Sequence, residues 1–433
     1  MEESRYFDPA METMPRPEIE ALQQSLLTEA LPYMDEHSPL LAEHWARLGV
    51  KVDEIRSVRE LTENLPFMDK DTIRAYRDHH GDPLGGMGLM AESAVISSTT
   101  GTTGDPVLLP SRREGMSEAA RIAADFWEMG CRPGDAFVVM LFTFRGAPML
   151  TPHAFGASTV LFDHAPAELE RLCRVSLDLR PTGLYLLSGP LILALRQMEP
   201  SLPFDLGEVF SSYRGVVYAG EPMGSRTREA LDRWGVEHFN HTAVGDVDSA
   251  TECGEHDGHH CHDDQALIEV LDPEGDEPVP EGEVGELVVT TLNPRLTNML
   301  VRYRSEDLLR TSTEPCGCGR THTRMWPVGR KGDEVVVEGR SILPVDVWLA
   351  VESIEATSAG LFQVIRVGRE MERLRLRVGY DERETTASLA AVRTDVIDSV
   401  TDAVGVVPDV ELVANSELLK LGPPHKIPRV AAS

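Results

Sequence analysis

The sequence is poor in positive charge and contains no long hydrophobic run. Its 433 residues include 41 lysines and arginines but 71 aspartates and glutamates, which gives a formal net charge of −30 at pH 7. Positively charged surfaces bind nucleic-acid backbones and anionic membranes, so we expect neither as a partner. No apolar stretch approaches the roughly 18 residues of a membrane-spanning helix, and the acidic start lacks the apolar core of a signal peptide. The composition therefore predicts a soluble, cytoplasmic protein.

The sequence also lacks the G-x-x-x-x-G-K-[ST] spacing of a Walker phosphate-binding loop. In its place, residues 97–107 read SSTTGTTGDPV after the apolar residues 94–96. Glycines let the backbone approach a ligand closely, and threonine hydroxyls add donors that can turn toward phosphate oxygens. An ordinary polar surface loop has a similar composition, so this stretch alone leaves both interpretations open.

The order of hydrophobic patterns predicts an α/β protein with two domains. Residues 1–90 have helical periodicity, and from about residue 94 short apolar runs alternate with amphipathic helical stretches. After residue 252 the pattern changes to antiparallel strands with Pro/Gly turns, and a smaller α+β unit follows residue 329. We therefore predict a large, multi-layer domain with mixed and parallel sheets over residues 1–329, and a small, mobile α+β domain over residues 330–433.

Several short motifs follow the threonine-rich stretch in a defined order. They are GVVYAGEPMG (215–224), FNHTAVGD (239–246), MLVRYRSEDL (299–308), PVGRKGDEVVVEGRSILP (327–344) and LLKLGPPHKIPRV (418–430). Together, and in this order, they resemble the adenylate-forming superfamily, and in particular its phenylacetate–CoA ligase branch. The resemblance extends from about residue 90 to the C-terminus, and its specificity lies in the ordered set.

The resemblance implies three groups of nucleotide-binding residues. A phosphate-binding loop would comprise Thr99, Thr100, Gly101, Thr102, Thr103 and Gly104. A turn beside the adenine and the acyl substrate would comprise Gly220, Glu221 and Pro222. The segment that stacks on the adenine and bonds the α-phosphate would comprise Phe239, Asn240, His241 and Thr242.

Three further charged residues take roles from the same resemblance. Asp307 matches the carboxylate that holds the ribose hydroxyls, which suits a group that only accepts hydrogen bonds when ionised. Arg330 matches an arginine near that ribose, and Lys426 matches the lysine that bridges the attacking carboxylate and the α-phosphate. A lysine between two anions stabilises the charge that develops during transfer, which supports the role of Lys426. The predicted catalytic residues are Lys426 and Thr242.

Two positions depart from the family pattern. Asp105 stands where the phosphate loop usually carries lysine, and Ala243 stands where a glutamate usually helps to hold magnesium. Either nearby acids such as Asp246 or Asp248 take the metal, or the enzyme is slow, or the chain has drifted to other chemistry.

Four of the six cysteines fall in two clusters, TECGEHDGHHCHDD and EPCGCGR. In a cytosolic protein such clusters favour a metal over disulfides, and two cysteine-rich knots suit a tetrahedral structural zinc site. Some members of the resembled branch carry a similar pattern, which selects the ligands Cys253, His260, Cys316 and Cys318. The alternative is free thiols in surface loops. Cys131 and Cys173 lie in apolar stretches and are predicted core residues.

The predicted acyl pocket combines small and aromatic residues: Ala219, Ala243, Gly245, Phe142, Phe144 and Phe239. A flat slot with aromatic walls suits a planar aryl acid better than a long acyl chain. We predict a benzoate with amino or hydroxyl groups, of the anthranilate or salicylate type. His241 or His153 could bond such a group, although a histidine of this kind is more often simply a satisfied core or surface residue.

The combined prediction is an ATP-dependent aryl-acid ligase that uses Mg²⁺, forms an acyl adenylate and transfers the acyl group to coenzyme A. Family inference adds a rotation of the C-terminal domain about residues 330–332 between the two steps, and a homodimer is left open. One alternative keeps adenylation but changes the acceptor to an amine, a hydroxyl or nitrite. Another is a degenerate nucleotide-binding protein without turnover.

Overall fold

The computed structural model of the protein describes residues 4–98, 106–112, 123–141, 156–220, 222–295, 297–383, 385–421 and 427–432. The chain separates into two compact units. Unit 1 comprises Met1–Leu161 and Phe239–Val328, and unit 2 comprises Phe162–His238 and Gly329–Ser433. One change of unit thus falls next to the predicted domain boundary, and the separate lid domain from residue 330 stays a prediction.

The α-helices of the described residues begin close to the N-terminus. They are α1 (Pro9–Glu12), α2 (Arg16–His37), α3 (Pro39–Leu48), α4 (Val58–Asn64), α5 (Lys70–His80), α6 (Ala123–Glu128), α7 (Leu169–Leu179), α8 (Gly189–Met198), α9 (Leu206–Phe210), α10 (Ser225–Arg233), α11 (Pro344–Glu352), α12 (Leu389–Val404) and α13 (Asn415–Leu418). Among these helices, none is long and apolar enough to cross a membrane.

The β-strands of the described residues are mostly short. They are β1 (Ser93–Ser98), β2 (Leu108–Arg112), β3 (Ala136–Leu141), β4 (Ser158–Asp163), β5 (Gly183–Tyr185), β6 (Gly215–Tyr218), β7 (His238–Val244), β8 (Asp248–Glu252), β9 (His259–His260), β10 (Ala266–Leu271), β11 (Gly285–Thr291), β12 (Tyr303–Ser312), β13 (Arg324–Arg330), β14 (Val335–Val337), β15 (Arg340–Ile342), β16 (Phe362–Arg366), β17 (Glu370–Met371), β18 (Arg375–Tyr380), β19 (Asp409–Ala414) and β20 (Val430–Ala432).

Unit 1 packs its N-terminal helices onto a sheet. Strands β10-β11-β12-β13-β9-β8-β7 are neighbours in that order, and the pairs β10/β11, β11/β12 and β7/β8 are antiparallel. Sequence signals set the helix ends: Asp69 and Thr72 form a capping box at α5, and Gly81 ends that helix with a left-handed φ of 66°. Leu27 and Leu61 from the helices share one buried core with Val289 from β11.

Unit 2 joins two separate parts of the chain. Its parallel pair β5/β6 comes from the first part, and its four-stranded sheet, in the order β19-β18-β16-β20, comes from the second. The two parts are tied by Glu352, which is 1% exposed and accepts hydrogen bonds from the backbone N–H groups of Thr227 (2.9 Å) and Arg226 (3.1 Å). The predicted α/β fold with mixed sheets is therefore confirmed.

Candidate active site and metal centre

The segment FNHTA lies on strand β7 in unit 1. Successive side chains of a strand point to opposite faces, so Asn240 and Thr242 share one face while Phe239, His241 and Ala243 share the other. Phe239, near the start of the strand, is buried, whereas Ala243, near its end, is exposed. The predicted nucleotide segment is thus part of a strand, and its residues divide between the two faces of that strand.

Glu252, the last residue of β8, holds Asn240 of β7. Its Oε2 atom accepts hydrogen bonds from the Asn240 backbone N–H at 3.0 Å and from the Asn240 Nδ2 amide at 2.8 Å. Glu252 is 9% exposed. Burial alone would raise its pKa, but the two hydrogen bonds from Asn240 outweigh it, and the pKa of Glu252 is lowered. The carboxylate is therefore ionised and bonded to one residue of the predicted site by both backbone and side chain.

Thr251, the neighbour of Glu252, holds His241. The His241 Nδ1 atom lies 2.7 Å from the Thr251 Oγ1 atom, and that hydroxyl donates to Oδ2 of Asp125 on α6 at 2.9 Å. Because the single hydroxyl hydrogen goes to Asp125, the hydroxyl oxygen accepts a hydrogen bond from His241 Nδ1–H. Burial lowers the pKa of His241, which favours the neutral imidazole. The tautomer with the proton on Nδ1 follows from this arrangement.

A buried acid–imidazole group continues from Asp125. His262 Nδ1 lies 2.9 Å from Asp248 Oδ2, and His262 Nε2 lies 3.5 Å from Asp125 Oδ1. Burial would lower the pKa of His262, but the carboxylates of Asp248 and Asp125 raise it well above its usual value. Asp248, one of the two predicted alternative magnesium ligands, is therefore paired with a cationic histidine.

The turn after β7 depends on two left-handed residues. Gly245 has a φ of 53°, and a Cβ atom there would lie 2.8 Å from Val289 Cγ2, so only glycine fits. Asp246 has a φ of 61°, and its Oδ2 atom accepts a hydrogen bond from the hydroxyl of Tyr303 at 3.2 Å. Burial and the Asp246 carboxylate raise the pKa of Tyr303, so this phenol stays protonated.

The other described site residues are divided between the units. In unit 1, Asp307 is half-buried on β12, and its backbone N–H donates to Ser305 Oγ at 3.1 Å. In unit 2, Arg330 ends β13, Ala219 and Gly220 follow β6, and the carbonyl of Pro222 accepts a hydrogen bond from Tyr218 at 3.2 Å. Gly220 has a φ of 109°, and among the described residues no atom beyond its chain neighbours lies within 4 Å of a Cβ atom built there.

A large part of the predicted phosphate and acyl site lies outside the described residues. These positions are Thr99, Thr100, Gly101, Thr102, Thr103, Gly104, Asp105, Phe142, Phe144, His153, Glu221 and Lys426. Their roles stay predictions, and so do the nucleotide and acyl roles of the described residues.

The four predicted zinc ligands converge on one point in unit 1. The ligand atoms of Cys253, His260, Cys316 and Cys318 all lie within 4.8 Å of one another, and all four residues are buried. Gly258 makes this approach possible, because its φ is 85° and a Cβ atom would lie 2.6 Å from Trp326. The alternative of surface thiols is wrong for these cysteines. Cys131 and Cys173 are also fully buried, as predicted for core residues.

Two of the separations between donor atoms of this cluster fit a tetrahedral zinc ion. With Zn–S bonds of about 2.3 Å and a Zn–N bond of about 2.0–2.1 Å, two sulfurs would lie about 3.8 Å apart and a sulfur and a nitrogen about 3.6 Å apart. The Cys253 and Cys316 sulfurs are 3.7 Å apart, and Cys318 Sγ lies 3.5 Å from His260 Nε2. Hydrogen bonds from Cys253 and His260 lower the pKa of Cys318, whereas the bond to Cys318 raises the pKa of Cys253 and burial raises the pKa of Cys316, so one thiolate is favoured in the metal-free cluster. Three cysteines and one histidine form a closed donor set without an open position.

Residues 4–16, here called the N-terminal segment, pack against this cluster. The Tyr6 hydroxyl donates to the Cys318 carbonyl at 2.8 Å, and a Cβ atom at Gly319 would collide with that hydroxyl. The Arg320 guanidinium bridges Glu12 at 2.7 Å and Glu128 at 2.8 Å. A cavity of about 130 Å³ is lined by the N-terminal segment, by Cys253 and His260 of the cysteine cluster, and by Asp125 and His262 of the buried acid–imidazole group. Nothing in the composition of the N-terminal segment signals these contacts.

Comparisons with known proteins bear on the whole chain. No family model matches it. It is 28% identical over 460 residues to a phenylacetate–coenzyme A ligase from Thermus thermophilus, which covers 98% of this chain and 96% of that protein. By sequence, the chain is phenylacetate–CoA ligase-like. The predicted resemblance to the adenylate-forming superfamily is thereby confirmed.

Solved structures with the same fold include two adenylate complexes. One is a 2-hydroxyisobutyryl-CoA ligase in the postadenylation state, with a TM-score of 0.83, 23% identity, and coverage of 100% of this chain and 93% of that one. Another is an anthranilate CoA ligase in complex with anthranoyl-AMP, with a TM-score of 0.56, 18% identity, and coverage of 74% and 63%. At these identities the likeness establishes the fold of the phenylacetate–CoA ligase-like chain.

Proposed function

We propose that this chain is an ATP-dependent, AMP-forming acid–coenzyme A ligase. The observation that carries the proposal is its similarity, over nearly the full length of both chains, to a phenylacetate–coenzyme A ligase. Strand β7 presents the aromatic-x-x-Thr segment, and β12 presents Asp307, in the same order as in the family pattern.

The reaction would take place in two steps, adenylation of the acid and transfer of the acyl group. A carboxylate oxygen of the acid bonds to the α-phosphorus of ATP, and the bond to the bridging oxygen breaks, so that pyrophosphate leaves with the electron pair. The thiolate of coenzyme A then attacks the acyl carbonyl carbon, and AMP leaves. Thr242 would donate to the α-phosphate, Asp307 would accept from the ribose hydroxyls, and Lys426 would lie between the two reacting anions.

For the acid, we propose a benzoate with an amino or hydroxyl group. The proposal rests on the small residues Ala219, Ala243 and Gly245 together with the aromatic side chain of Phe239. One neighbour with this fold holds anthranoyl-AMP and another holds a 2-hydroxyisobutyryl adenylate, so pocket residues rather than the fold select the acid.

For the cysteine cluster, we propose a structural zinc ion held by Cys253, His260, Cys316 and Cys318. The support is the convergence of four buried donors at distances that suit tetrahedral zinc. The site would join the end of β8 to the loop that contains Cys316 and Cys318, and the closed donor set assigns it no step in the reaction.

A different acyl acceptor is the second candidate, and Ala243 is the observation that favours it. The family glutamate that helps to hold magnesium is missing there, and Asp105 replaces the usual lysine in the phosphate loop. The rotation of residues 330–433 between the two steps also remains part of the proposal, since Gly332 has a φ of 85° and freedom for large backbone changes.

The experiment that tests the function is ATP–pyrophosphate exchange with a panel of aminobenzoates, hydroxybenzoates, phenylacetate and fatty acids. We expect magnesium-dependent exchange with an amino- or hydroxybenzoate in the absence of coenzyme A. Product analysis with coenzyme A, hydroxylamine and nitrite then identifies the acceptor. Exchange with phenylacetate or a fatty acid alone would contradict the substrate proposal, and no exchange with any acid would contradict the ligase proposal.

A further inference from the structure

The two residues that directly precede the first predicted cysteine ligand also form hydrogen bonds with the predicted nucleotide segment. Thr251 and Glu252 are consecutive on β8, directly before Cys253, and they bond to His241 and Asn240, which are consecutive on β7. Two neighbouring side chains on one strand thus hold two neighbouring residues on the next.

Ordinary antiparallel pairing does not require these side-chain bonds. The register pairs His241 with Thr251 and Thr242 with Ala250, and Glu252 pairs with His259 on its other side. Asn240 lies one residue beyond the part of β7 that pairs with β8, and its backbone N–H donates to the Glu252 carboxylate instead of to a backbone carbonyl of β8.

We propose that Glu252 and Thr251 are positioning residues for nucleotide binding, which hold the β7 segment Phe239–Thr242 in the geometry that binds ATP. The inference rests on the proposed function, because only the family resemblance assigns the segment to the nucleotide. The Asn240 amide supplies the second bond to Glu252.

The two bonds to Glu252 reach the same oxygen atom, which makes a sharp substitution available. In Glu252→Gln, the amide oxygen can occupy the position of Oε2 and accept both hydrogen bonds, whereas Glu252→Ala removes both. We expect Glu252→Ala to raise the Kd and the KM for ATP roughly tenfold, because the loss of both hydrogen bonds weakens ATP binding indirectly, through the position of Asn240. We expect Glu252→Gln to stay within about threefold of the unaltered protein.

Thr251 gives an independent test on the adjacent residue. Thr251→Val keeps the shape of the side chain but removes the hydroxyl between His241 and Asp125, while Thr251→Ser retains it. We expect Thr251→Val to raise the KM for ATP roughly fivefold with a smaller change in kcat, and Thr251→Ser to restore it.

The matched control variants lie on β10 and β11, at the opposite end of the sheet order from β7 and β8. Glu269→Ala on β10 breaks a partly buried ion pair with Arg302 (2.9 Å), and Thr290→Val on β11 removes a hydroxyl that accepts from the Arg302 N–H at 2.9 Å. Both controls are expected to lower the thermal unfolding midpoint without changing the Kd for ATP. If Glu252→Ala does not fold, Asn240→Ala takes its place, because it removes the same side-chain hydrogen bond by truncating the donor instead of the acceptor.

The measurement is titration calorimetry with MgATP for binding, and pyrophosphate exchange for KM and kcat. If the unaltered protein binds ATP and Glu252→Ala matches Glu269→Ala in Kd and KM, the two residues have a structural role only and the inference is overturned. If the unaltered protein neither binds ATP nor exchanges pyrophosphate, the proposed function fails and the inference fails with it. ATP binding without exchange, weakened by Glu252→Ala and restored by Glu252→Gln, supports the inference and contradicts the ligase proposal.

Discussion

The cysteine cluster and the β7 segment both belong to unit 1 but are held in place differently. The four donors of the cluster face one another across less than 4.8 Å, so the members define the site among themselves. Asn240 and His241 on β7 are held by Glu252 and Thr251, which belong to the next strand. The proposed metal site would therefore be specified by its own side chains, whereas the proposed nucleotide-binding strand would depend on neighbours that take no part in the chemistry.

The largest test of this comparison removes a ligand from the cluster. Cys318→Ser should abolish zinc binding and lower the free energy of unfolding by more than about 5 kcal/mol, because binding energy at a structural zinc site is folding energy. Metal analysis of tag-free protein and thermal unfolding measure both effects. Cys173→Ala is the matched control, since Cys173 is equally buried but lies outside the cluster. Full zinc content in Cys318→Ser, or none in the unaltered protein, would remove the zinc site from the proposal.

A second test asks whether the β7 segment contacts the nucleotide directly, in addition to being held in place by Thr251 and Glu252. Thr242→Ala removes the predicted donor to the α-phosphate and should lower kcat for pyrophosphate exchange about 100-fold, as for the loss of one donor to a developing anion. The thermal midpoint should change little, because Thr242 is only half-buried. Unchanged exchange would mean that the segment does not contact the phosphate.

A third test concerns the backbone that brings the cluster together. Gly258→Ala places a Cβ atom 2.6 Å from Trp326 at a φ of 85°, so we expect a loss of about 1–3 kcal/mol in stability and weaker zinc retention against a chelator. Gly254→Ala is the control, because its nearest contact would be Glu128 Oε1 at 3.8 Å. Equal zinc retention in the two variants would show that the ligands assemble without help from Gly258.

The smallest expected effect is at the edge of the cluster. Tyr6→Phe removes the hydrogen bond to the Cys318 carbonyl and should cost about 1 kcal/mol, the usual value for one hydrogen bond. Thermal unfolding at constant zinc content measures it. A loss as large as that of Cys318→Ser would mean that the N-terminal segment, rather than the metal, holds this loop together.

The sequence predicted the features that depend on local chemistry. Cysteine and histidine spacing, together with the family pattern, identified all four members of the cluster, and the alternation of apolar runs identified the α/β order. The bonds between Glu252 and Asn240 and between Thr251 and His241 were missed, because they depend on the register of two antiparallel strands joined by a turn with two left-handed residues. The Asp125 contact was beyond reach for a simpler reason, since it joins residues 126 positions apart.

His241 illustrates the limit most clearly. Its place in the motif predicted a nucleotide contact or a bond to the substrate, yet its Nδ1 atom faces Thr251 within unit 1. A motif assigns a residue to a strand and a neighbourhood, but the direction of the side chain follows from strand alternation and from groups that come later in the chain.

The contacts of the N-terminal segment have a consequence for synthesis of the chain. Glu12 meets Arg320, 308 residues later, and Tyr6 meets Cys318. At about 5–20 residues per second, the ribosome would need roughly 15–60 s to supply those partners. Tyr6 and Glu12 therefore remain without these native partners while most of the protein is being translated. Closure of this segment is expected to be a late folding event, and nascent chains that stall before residue 316 would expose it to chaperones.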